Sequence, residues 1–218
     1  TIQAPDEESF EKFVEENKQV IIGFFTHAEM NRQISVLKDK HSDYVATKVK
    51  SMFDCDVWVP GDLSSTKEGK DFFWAGTNTA TGDQNFVIYS YPYTDKDTFT
   101  KEYFVHKRDS VMKANIPGAQ EGMYMMTDSL MTDVRPISVQ GDYALEARGL
   151  WRIKGDFMGG PYVSHVRLDK PNQRIIVSEI FVYSPDKMKR NLVRQMEASL
   201  YTLKLPGINR PTDKSLYE

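Results

Sequence analysis

The chain has 218 residues, of which 40% are hydrophobic and 27% are charged, and its formal net charge is −3 at pH 7. This is an ordinary globular composition, and the length suffices for one large domain or two small ones. No basic stripe dominates, which argues against a nucleic-acid-binding protein. The longest apolar run, Val20 to Phe25, is far shorter than the roughly 20 residues of a membrane-spanning helix. A single cysteine, Cys55, excludes an intrachain disulfide and any zinc site that needs two cysteines.

The first quarter of the chain is predicted to be mainly helical. Residues 6–17 are acidic and carry apolar side chains at helical spacing. A second helical stretch follows, within which Thr26 and Glu29 fit a capping box, so that a new helix is expected to begin there. Ser42 is placed to cap a third helix.

The next part of the chain mixes strands and a helix. The hydrophobic period shortens from 3.6 to 2 at 55–59, which predicts a strand. Phe72–Trp74 and Phe86–Tyr89 are expected to pair as a hairpin, because the residues between them are rich in turn formers. A helix is predicted from about 97 to 113, and Pro117 prevents its continuation.

The remaining sequence follows the same scheme. Short strands are predicted near 123–126 and 134–139. The clearest strand pattern spans 143–154, with apolar residues on one face and mostly charged residues on the other. Residues 162–169 and 174–183 are expected to form a second hairpin. The final helix carries an apolar residue at every fourth position: Met188, Leu192, Met196 and Leu200.

Both halves contain a strand, a proline and an amphipathic helix that ends in Pro-Gly. This recurrence indicates either duplication of a strand–proline–helix unit or chance recurrence of residues that favour strand-to-helix junctions. The whole pattern predicts an α+β fold, in which an antiparallel sheet carries helices packed mainly on one face. We divide the chain into a mainly helical part, two α+β halves and a tail, at 1–53, 54–118, 119–207 and 208–218.

Sequence motifs for a nucleotide, a dinucleotide, a catalytic zinc ion or a nucleophilic serine are absent. We therefore predict no cofactor and no metal ion. Cys55 has no evident histidine partner, and we expect it to pack in the core rather than to act as a nucleophile.

His165 is the strongest catalytic candidate, because it lies within a predicted strand. If the strand 143–154 pairs with that strand, His165 shares a face with Glu146, Arg148 and Arg167. An imidazole, a carboxylate and a guanidinium in contact could bind an anion or transfer a proton. The alternative is a water-facing antiparallel sheet that carries mixed charges.

Glu179 is the one carboxylate in an otherwise apolar strand. A strand that is apolar on both faces is usually central in its sheet, where an unpaired carboxylate would be costly. Glu179 is therefore either a catalytic acid with a raised pKa or the partner of an arginine or of water.

Aromatic residues cluster between positions 58 and 104. On an exposed sheet face they could stack on a sugar or a peptide, whereas buried ones would fill the core between sheet and helix. The segment Tyr91-Pro92-Tyr93 borders a loop, and we expect it to be exposed. The candidate binding residues are Tyr91, Tyr93, Trp74 and Trp58.

Five stretches carry a resemblance to a known family: 25–33 (FTHAEMNRQ), 73–93, 101–113, 149–166 (GLWRIKGDFMGGPYVSHV) and 189–205. They resemble uncharacterised envelope lipoproteins of Gram-negative gut anaerobes, a family described only as a domain of unknown function. The resemblance implies a longer precursor, with a lipoprotein signal and a further segment before Thr1. It also implies a location in the cell envelope, facing the periplasm or the outside. It implies no activity and no catalytic residue.

The sequence supports three functional hypotheses. The first, which we favour, is a non-enzymatic, lipid-anchored envelope protein that binds a protein, glycan or peptide through its aromatic loops. The second is a periplasmic or surface enzyme of hydrolase type that uses His165 with Glu146 or Glu179 and an arginine. The third is a structural subunit whose apolar patch is covered by a partner chain. We expect no nucleic-acid partner, and membrane contact only through an upstream anchor.

Overall fold

The computed structural model describes residues 2–77, 79, 82–185 and 187–207. The predicted tail, 208–218, lies outside the described residues. The helices and strands follow one another along the chain as α1 (Glu7–Glu16), α2 (Lys18–Lys40), α3 (Asp43–Phe53), β1 (Ser65–Gly69), β2 (Phe72–Gly76), β3 (Asp83–Pro92), α4 (Lys101–Asn115), β4 (Met125–Val139), β5 (Asp142–Ile153), β6 (Gly159–Asp169), β7 (Arg174–Tyr183) and α5 (Arg190–Thr202). A short 3₁₀ helix, Lys96–Phe99, precedes α4.

The seven strands form one antiparallel sheet in the order β1-β2-β3-β7-β6-β5-β4. Two meanders, β1–β3 and β4–β7, therefore meet at the centre, where β3 pairs with β7 over its whole length. The sheet continues through both predicted α+β halves. The prediction of an α+β fold is confirmed.

Helices cover the central strands on both faces of the sheet. On one side, which we call the α5 face, Phe86 of β3 and Ile180 of β7 pack in a core with Met196 of α5 and with residues of α3. On the other side, the α4 face, Val87 and Val177 pack in a core with Phe104 and Met112 of α4. The second half of α2 lies against α5, whereas on the α4 face the short 3₁₀ helix before α4 adds Phe99 to the core.

The positions of α4 and α5 argue against an internal duplication. Each helix follows a central strand, β3 or β7, and these strands are antiparallel neighbours. A rotation that superimposes one half of such a sheet on the other reverses both the strand direction and the lateral order of the strands, so its axis is perpendicular to the sheet. Such a rotation leaves each face of the sheet on the same side. A duplicated helix would then lie on the same face as the original, whereas α4 and α5 lie on opposite faces. What recurs is therefore only the proline at the strand-to-helix junction and the Pro-Gly at the end of the helix.

Several local predictions are confirmed. Ser42 caps α3 by accepting a hydrogen bond from the backbone N–H of Val45. The hairpin β2–β3 and the hairpin β6–β7 form as expected. Cys55 is buried, and loss of hydration raises the pKa of its thiol to about 12, as expected for a packing residue.

Three local predictions are wrong. No new helix begins at Thr26, because α2 continues through it to Lys40, and the helix break lies at Asn17 instead. Residues 55–59 form no strand; they meet the chain at and just after the end of α5, through an isolated bridge between Asp56 and Lys204 and a hydrogen bond from the N–H of Trp58 to the side chain of Thr202. The two short strands expected near 123–139 are a single strand, β4, with an irregular register between Asp128 and Asp133.

A fully buried ion pair fixes α4 to the sheet. Arg108 donates two hydrogen bonds to the carboxylate of Glu179, at 2.9 and 2.7 Å. Arg108 also donates to Thr127, and Ser164 donates to Glu179 at 2.6 Å. Burial alone would lower the pKa of Arg108, but the adjacent carboxylate of Glu179 outweighs burial and raises that pKa. Of the alternatives for Glu179, the structure shows the arginine partner.

We expect Arg108→Met to lower the free energy of unfolding by roughly 3–5 kcal/mol, because the carboxylate of Glu179 would stay buried without a counter-ion. Adding Glu179→Gln should recover part of that loss, since it removes the uncompensated charge. Chemical denaturation of the single and double variants measures both effects. As a control, Arg190→Met removes an exposed ion pair with Glu29 and should cost less than about 1 kcal/mol. A double variant with additive losses would contradict this account of the pair.

Candidate functional site

His165, Glu146 and Arg148 do lie together, on the α5 face of neighbouring strands. Glu146 of β5 is directly opposite His165 of β6, and the two side chains approach to 3.7 Å between Oε2 and Nε2. Arg148 contacts Glu146 at 2.8 Å and also binds Glu197 of α5. Arg135 of β4 binds Glu146 at 2.7 Å. Strand alternation places Arg167 on the same face, where it donates to the carbonyl oxygen of Leu203 at the end of α5.

The protonation states in this cluster follow from burial and from the neighbouring charges. Burial alone would raise the pKa of Glu146, but its contacts with His165, Arg148 and Arg135 outweigh burial and hold that pKa well below its usual value. Burial lowers the pKa of His165, and the nearby Glu146 only partly offsets that effect. Glu146 is therefore ionised and His165 is neutral at pH 7.

His165 is packed beneath α5 rather than exposed in a cleft. Its side chain is fully buried, its ring meets Tyr201 edge-on at 4.8 Å, and neither ring nitrogen has a hydrogen-bond partner. Three of the larger cavities among the described residues have no lining from His165 or Glu146. The alternative of a water-facing sheet is wrong for His165 and Glu146, because α5 covers these strands. Glu179 cannot join this cluster, since it points to the α4 face.

The four predicted aromatic binding residues occupy different places. Tyr91, expected to be exposed, is buried because Tyr103 and Lys107 of α4 pack over it. Tyr93 is half-buried beside Phe99. Trp58 is half-buried beside His41, on the α5 side of the molecule. Trp74 alone among the four lines a groove on the α4 face.

This groove, which we call the aromatic groove, lies where α4 ends and the α4 face of the sheet emerges beside it. Its volume is about 400 Å³. Pro117, predicted as a helix stop, stands at its edge and ends the cover that α4 provides. Its apolar lining includes Trp74, Trp151, Phe181, Tyr183, Ile116 and Met158. Its polar lining consists of Lys67, Asp83, Asn85, Asn115 and Asp156.

The walls of the aromatic groove are held by hydrogen bonds and close packing. The indole N–H of Trp74 donates to Asn85 at 3.0 Å, and the amide of Asn85 donates to the carbonyl oxygen of Phe181. The Trp74 ring lies over Gly76, where an added Cβ would come within 2.6 Å of it. Trp151 donates to the carbonyl oxygen of Val182 at 3.3 Å. A half-buried Trp74 is therefore fixed in orientation before any ligand arrives.

Sequence reasoning missed Trp151, Phe181 and Tyr183 as groove residues. Alternation correctly placed Trp151 on an apolar face, but the end of that face is left uncovered by α4. Asn85 and Phe181 are register partners across the central pair β3–β7. A signal for the groove existed only in that long-range pairing, which the alternation within one strand does not reveal.

A depression of about 640 Å³ runs along α4 beside Tyr124, but its lining mixes lysines with acidic residues and so favours neither sign of charge.

Within the described part of the chain, no three His, Cys, Asp or Glu side chains are placed to share a metal ion. Of the helices described, none is both long enough and apolar enough to cross a membrane.

The contacts of His165 predict a pH-dependent stability. Because its folded pKa lies below the usual 6.5, the unfolded chain binds more protons as the pH falls below that value. The free energy of unfolding should therefore decrease with falling pH, by up to about 1.4 kcal/mol per pH unit from this residue. Glu146 acts in the same direction below its unfolded value of 4.5.

We expect His165→Phe to flatten this dependence between pH 6.5 and 5, because the titrating group is removed while Arg135 and Arg148 still pair with Glu146. Denaturant unfolding at several pH values measures the slope. His106→Phe, at an exposed position on α4, controls for the loss of an imidazole. A slope unchanged by His165→Phe would show that His165 does not titrate as its burial requires.

Comparison with known proteins provides a family but no activity. No curated protein matches the chain. A crystal structure of a protein from Bacteroides thetaiotaomicron VPI-5482 is similar at 14% sequence identity, with a TM-score of 0.34; the match covers 72% of this chain and 47% of that one. The chain thus spans about half the length of that protein. The model of a family described as a domain of unknown function, DUF4837, matches residues 42–202, well over half of the chain. The chain belongs to this family.

Proposed function

We propose that this protein is a non-enzymatic, lipid-anchored protein of the cell envelope that binds a neutral glycan in its aromatic groove. The observation that carries the proposal is the fixed, half-buried indole of Trp74 in a groove that is also lined by Tyr183 and by carboxylate and amide groups. Binding sites for small ligands are typically concave and mainly apolar, with a few polar groups that set orientation.

The electrostatics of the groove favour a ligand without negative charge. Asp83 and Asp156 contribute two carboxylates to its lining, against one cation from Lys67. Lys67 already donates to the carbonyl oxygen of Asn115 at 2.6 Å, at the C-terminal end of α4. Carbonyl groups at a helix C-terminus carry partial negative charge. An anionic ligand would meet repulsion, whereas sugar hydroxyl groups can donate to these acceptors.

The aromatic lining suits the apolar faces of a sugar ring. Trp151 contacts Phe181 edge-on at 5.4 Å, with Tyr183 close by at 6.3 Å, so that several rings meet at one end of the sheet. Aromatic side chains contribute large apolar areas together with defined geometry. A pyranose that stacks on Trp74 could place its hydroxyl groups against Asp83 or Asn85.

The hydrolase hypothesis has less support from the geometry. Catalysis requires that a base reach its substrate within hydrogen-bond distance. His165 is fully buried under α5, and its neighbour Glu146 is occupied by two arginines. These contacts support a packing role for the cluster.

The envelope location and the lipid anchor rest on the sequence resemblance. They predict that cell fractionation recovers the natural protein with membranes, and that a detergent releases it while high salt does not, because an acyl chain and not charge would hold it. Metabolic labelling with a radioactive fatty acid should mark the same band. A cytosolic, unlabelled protein would overturn this part of the proposal and leave the groove untouched.

For the ligand, we expect Trp74→Ala to weaken binding to a short neutral oligosaccharide at least about ten-fold, the equivalent of roughly 1.4 kcal/mol. Gly76→Ala should have a similar effect without removing any aromatic group, because the new Cβ displaces the Trp74 ring. Screening on an immobilised array of neutral oligosaccharides and of apolar peptides, followed by calorimetry, measures both.

Trp58→Ala is the matched control, since Trp58 is also half-buried but lies away from the groove. If the wild-type protein binds only peptides on the array, the ligand of the groove is a peptide and not a glycan. Binding that Trp74→Ala and Trp58→Ala reduce equally, or no binding to either class, would reject the groove as the site.

A further inference from the structure

The first helical segment of the chain has an apolar surface that nothing in the described structure covers. We call residues 7–28, α1 and the first part of α2, the helical arm. None of the residues of α1 is buried, and the buried residues of α2 begin only at Met30. The helical arm therefore extends from the molecule before α2 reaches its contacts with α5.

The apolar residues of the helical arm form a stripe along the helices. Phe24, Phe25 and the half-buried Ile21 follow the spacing of one face of α2, with the exposed Val20 and Ile22 on either side. The exposed Phe10 and Phe13 of α1 are three residues apart, again the spacing of one helix face. Exposure reaches 71% for Val20, 69% for Phe24 and 65% for Phe25. At roughly 200 Å² for a fully exposed aromatic side chain, the four partly exposed phenylalanines present about 440 Å². Val20 and Ile22 bring the exposed apolar surface of the helical arm to about 600 Å².

A stripe of this kind requires a partner. Exposed apolar patches of several hundred Å² mark interaction surfaces. Isolated helices of fewer than about 12–15 residues are marginal in water, and most helical stability comes from packing an amphipathic face. The ten residues of α1 have no such packing within the described chain.

The charges at the two ends of the helices favour a second copy of the chain as the partner. The first turn of α1 carries Glu7 and Glu8, whereas the last turn of α2 carries Lys38 and Lys40 with Asp39 between them and is basic on balance. An acidic start disfavours an anionic bilayer surface, which attracts basic helices. An antiparallel copy of the same helices instead places each acidic end beside a basic end. The midpoint between residues 7 and 38 falls at Ile22 and Gly23, within the exposed apolar run.

We propose that the helical arm is a homodimerisation surface, on which a second copy of this chain packs antiparallel about a two-fold axis near Ile22. About 600 Å² of apolar area from each copy, with the polar rim around it, approaches the roughly 800 Å² per partner of a standard interface. A two-fold interface uses the same patch twice, so that each acidic end meets a basic end of the other copy. The dimer is independent of the proposed function of the aromatic groove.

Sedimentation equilibrium of the 218-residue chain over a range of concentrations tests the proposal. We expect a reversible dimer of about twice the 25.1 kDa monomer mass. Phe24→Glu should weaken the dimer at least about ten-fold, because a carboxylate would be buried at the interface. Phe157→Glu, at a fully exposed apolar residue elsewhere, is the matched control and should leave the dimer intact.

A charge exchange tests the antiparallel arrangement. Glu7→Lys with Glu8→Lys should weaken the dimer, and adding Lys38→Glu with Lys40→Glu should restore it, most clearly at low salt. Failure of the restoration would exclude the antiparallel two-fold arrangement.

A chain that stays monomeric at all concentrations would overturn the proposal, as would a dimer that Phe24→Glu does not weaken. Mixing the monomer with vesicles of anionic or neutral phospholipid, followed by flotation, would then show whether a lipid surface covers the helical arm instead.

Discussion

The fold depends on the pairing of β3 with β7, which joins two meanders into one sheet. Both strands are covered on both faces, by α5 and α3 on one side and by α4 on the other. A carboxylate in such a strand has no access to water and needs an internal partner. Glu179 obtains one from Arg108, and that contact fixes where α4 crosses the sheet. The end of α4 in turn determines where the α4 face becomes accessible, which is the aromatic groove.

Much of the secondary structure could be predicted from local patterns, because period, turn residues and caps are properties of short segments. Ser42 and the hairpins β2–β3 and β6–β7 belong to this class. The long-range arrangement could not be predicted in the same way. Alternation correctly placed Glu146 and His165 on one face, but it carries no information on what covers that face. The groove residues Asn85 and Phe181 come together only through the central pairing. Tyr91 was wrongly expected to be exposed, since the path of α4 over it is a tertiary property.

The polar cluster under α5 shows why residue types that suggest catalysis also occur in cores. Glu146 keeps its charge because Arg135 and Arg148 surround it, whereas His165 loses its charge because burial outweighs the attraction of the nearby Glu146 carboxylate. The two groups thus reach opposite charge states by the same balance of hydration against Coulomb energy. Arg148 extends this network to Glu197 and so attaches α5 to the sheet. On the opposite face, Arg108 and Glu179 do the same for α4.

The aromatic groove and the helical arm lie on different sides of the molecule, because α4 ends at the groove whereas α2 follows α5. The groove is preorganised, because Trp74 is held by a hydrogen bond to Asn85 and by close packing on Gly76. Its side chain therefore loses little conformational entropy when a ligand binds. The helical arm is the reverse, since α1 has no internal packing and its helix must be stabilised by whatever covers it. Ligand binding and self-association therefore draw on separate contacts. A substitution in the arm can change the oligomeric state without altering the walls of a groove, and a dimer formed through the arm presents two such grooves to one polymeric ligand.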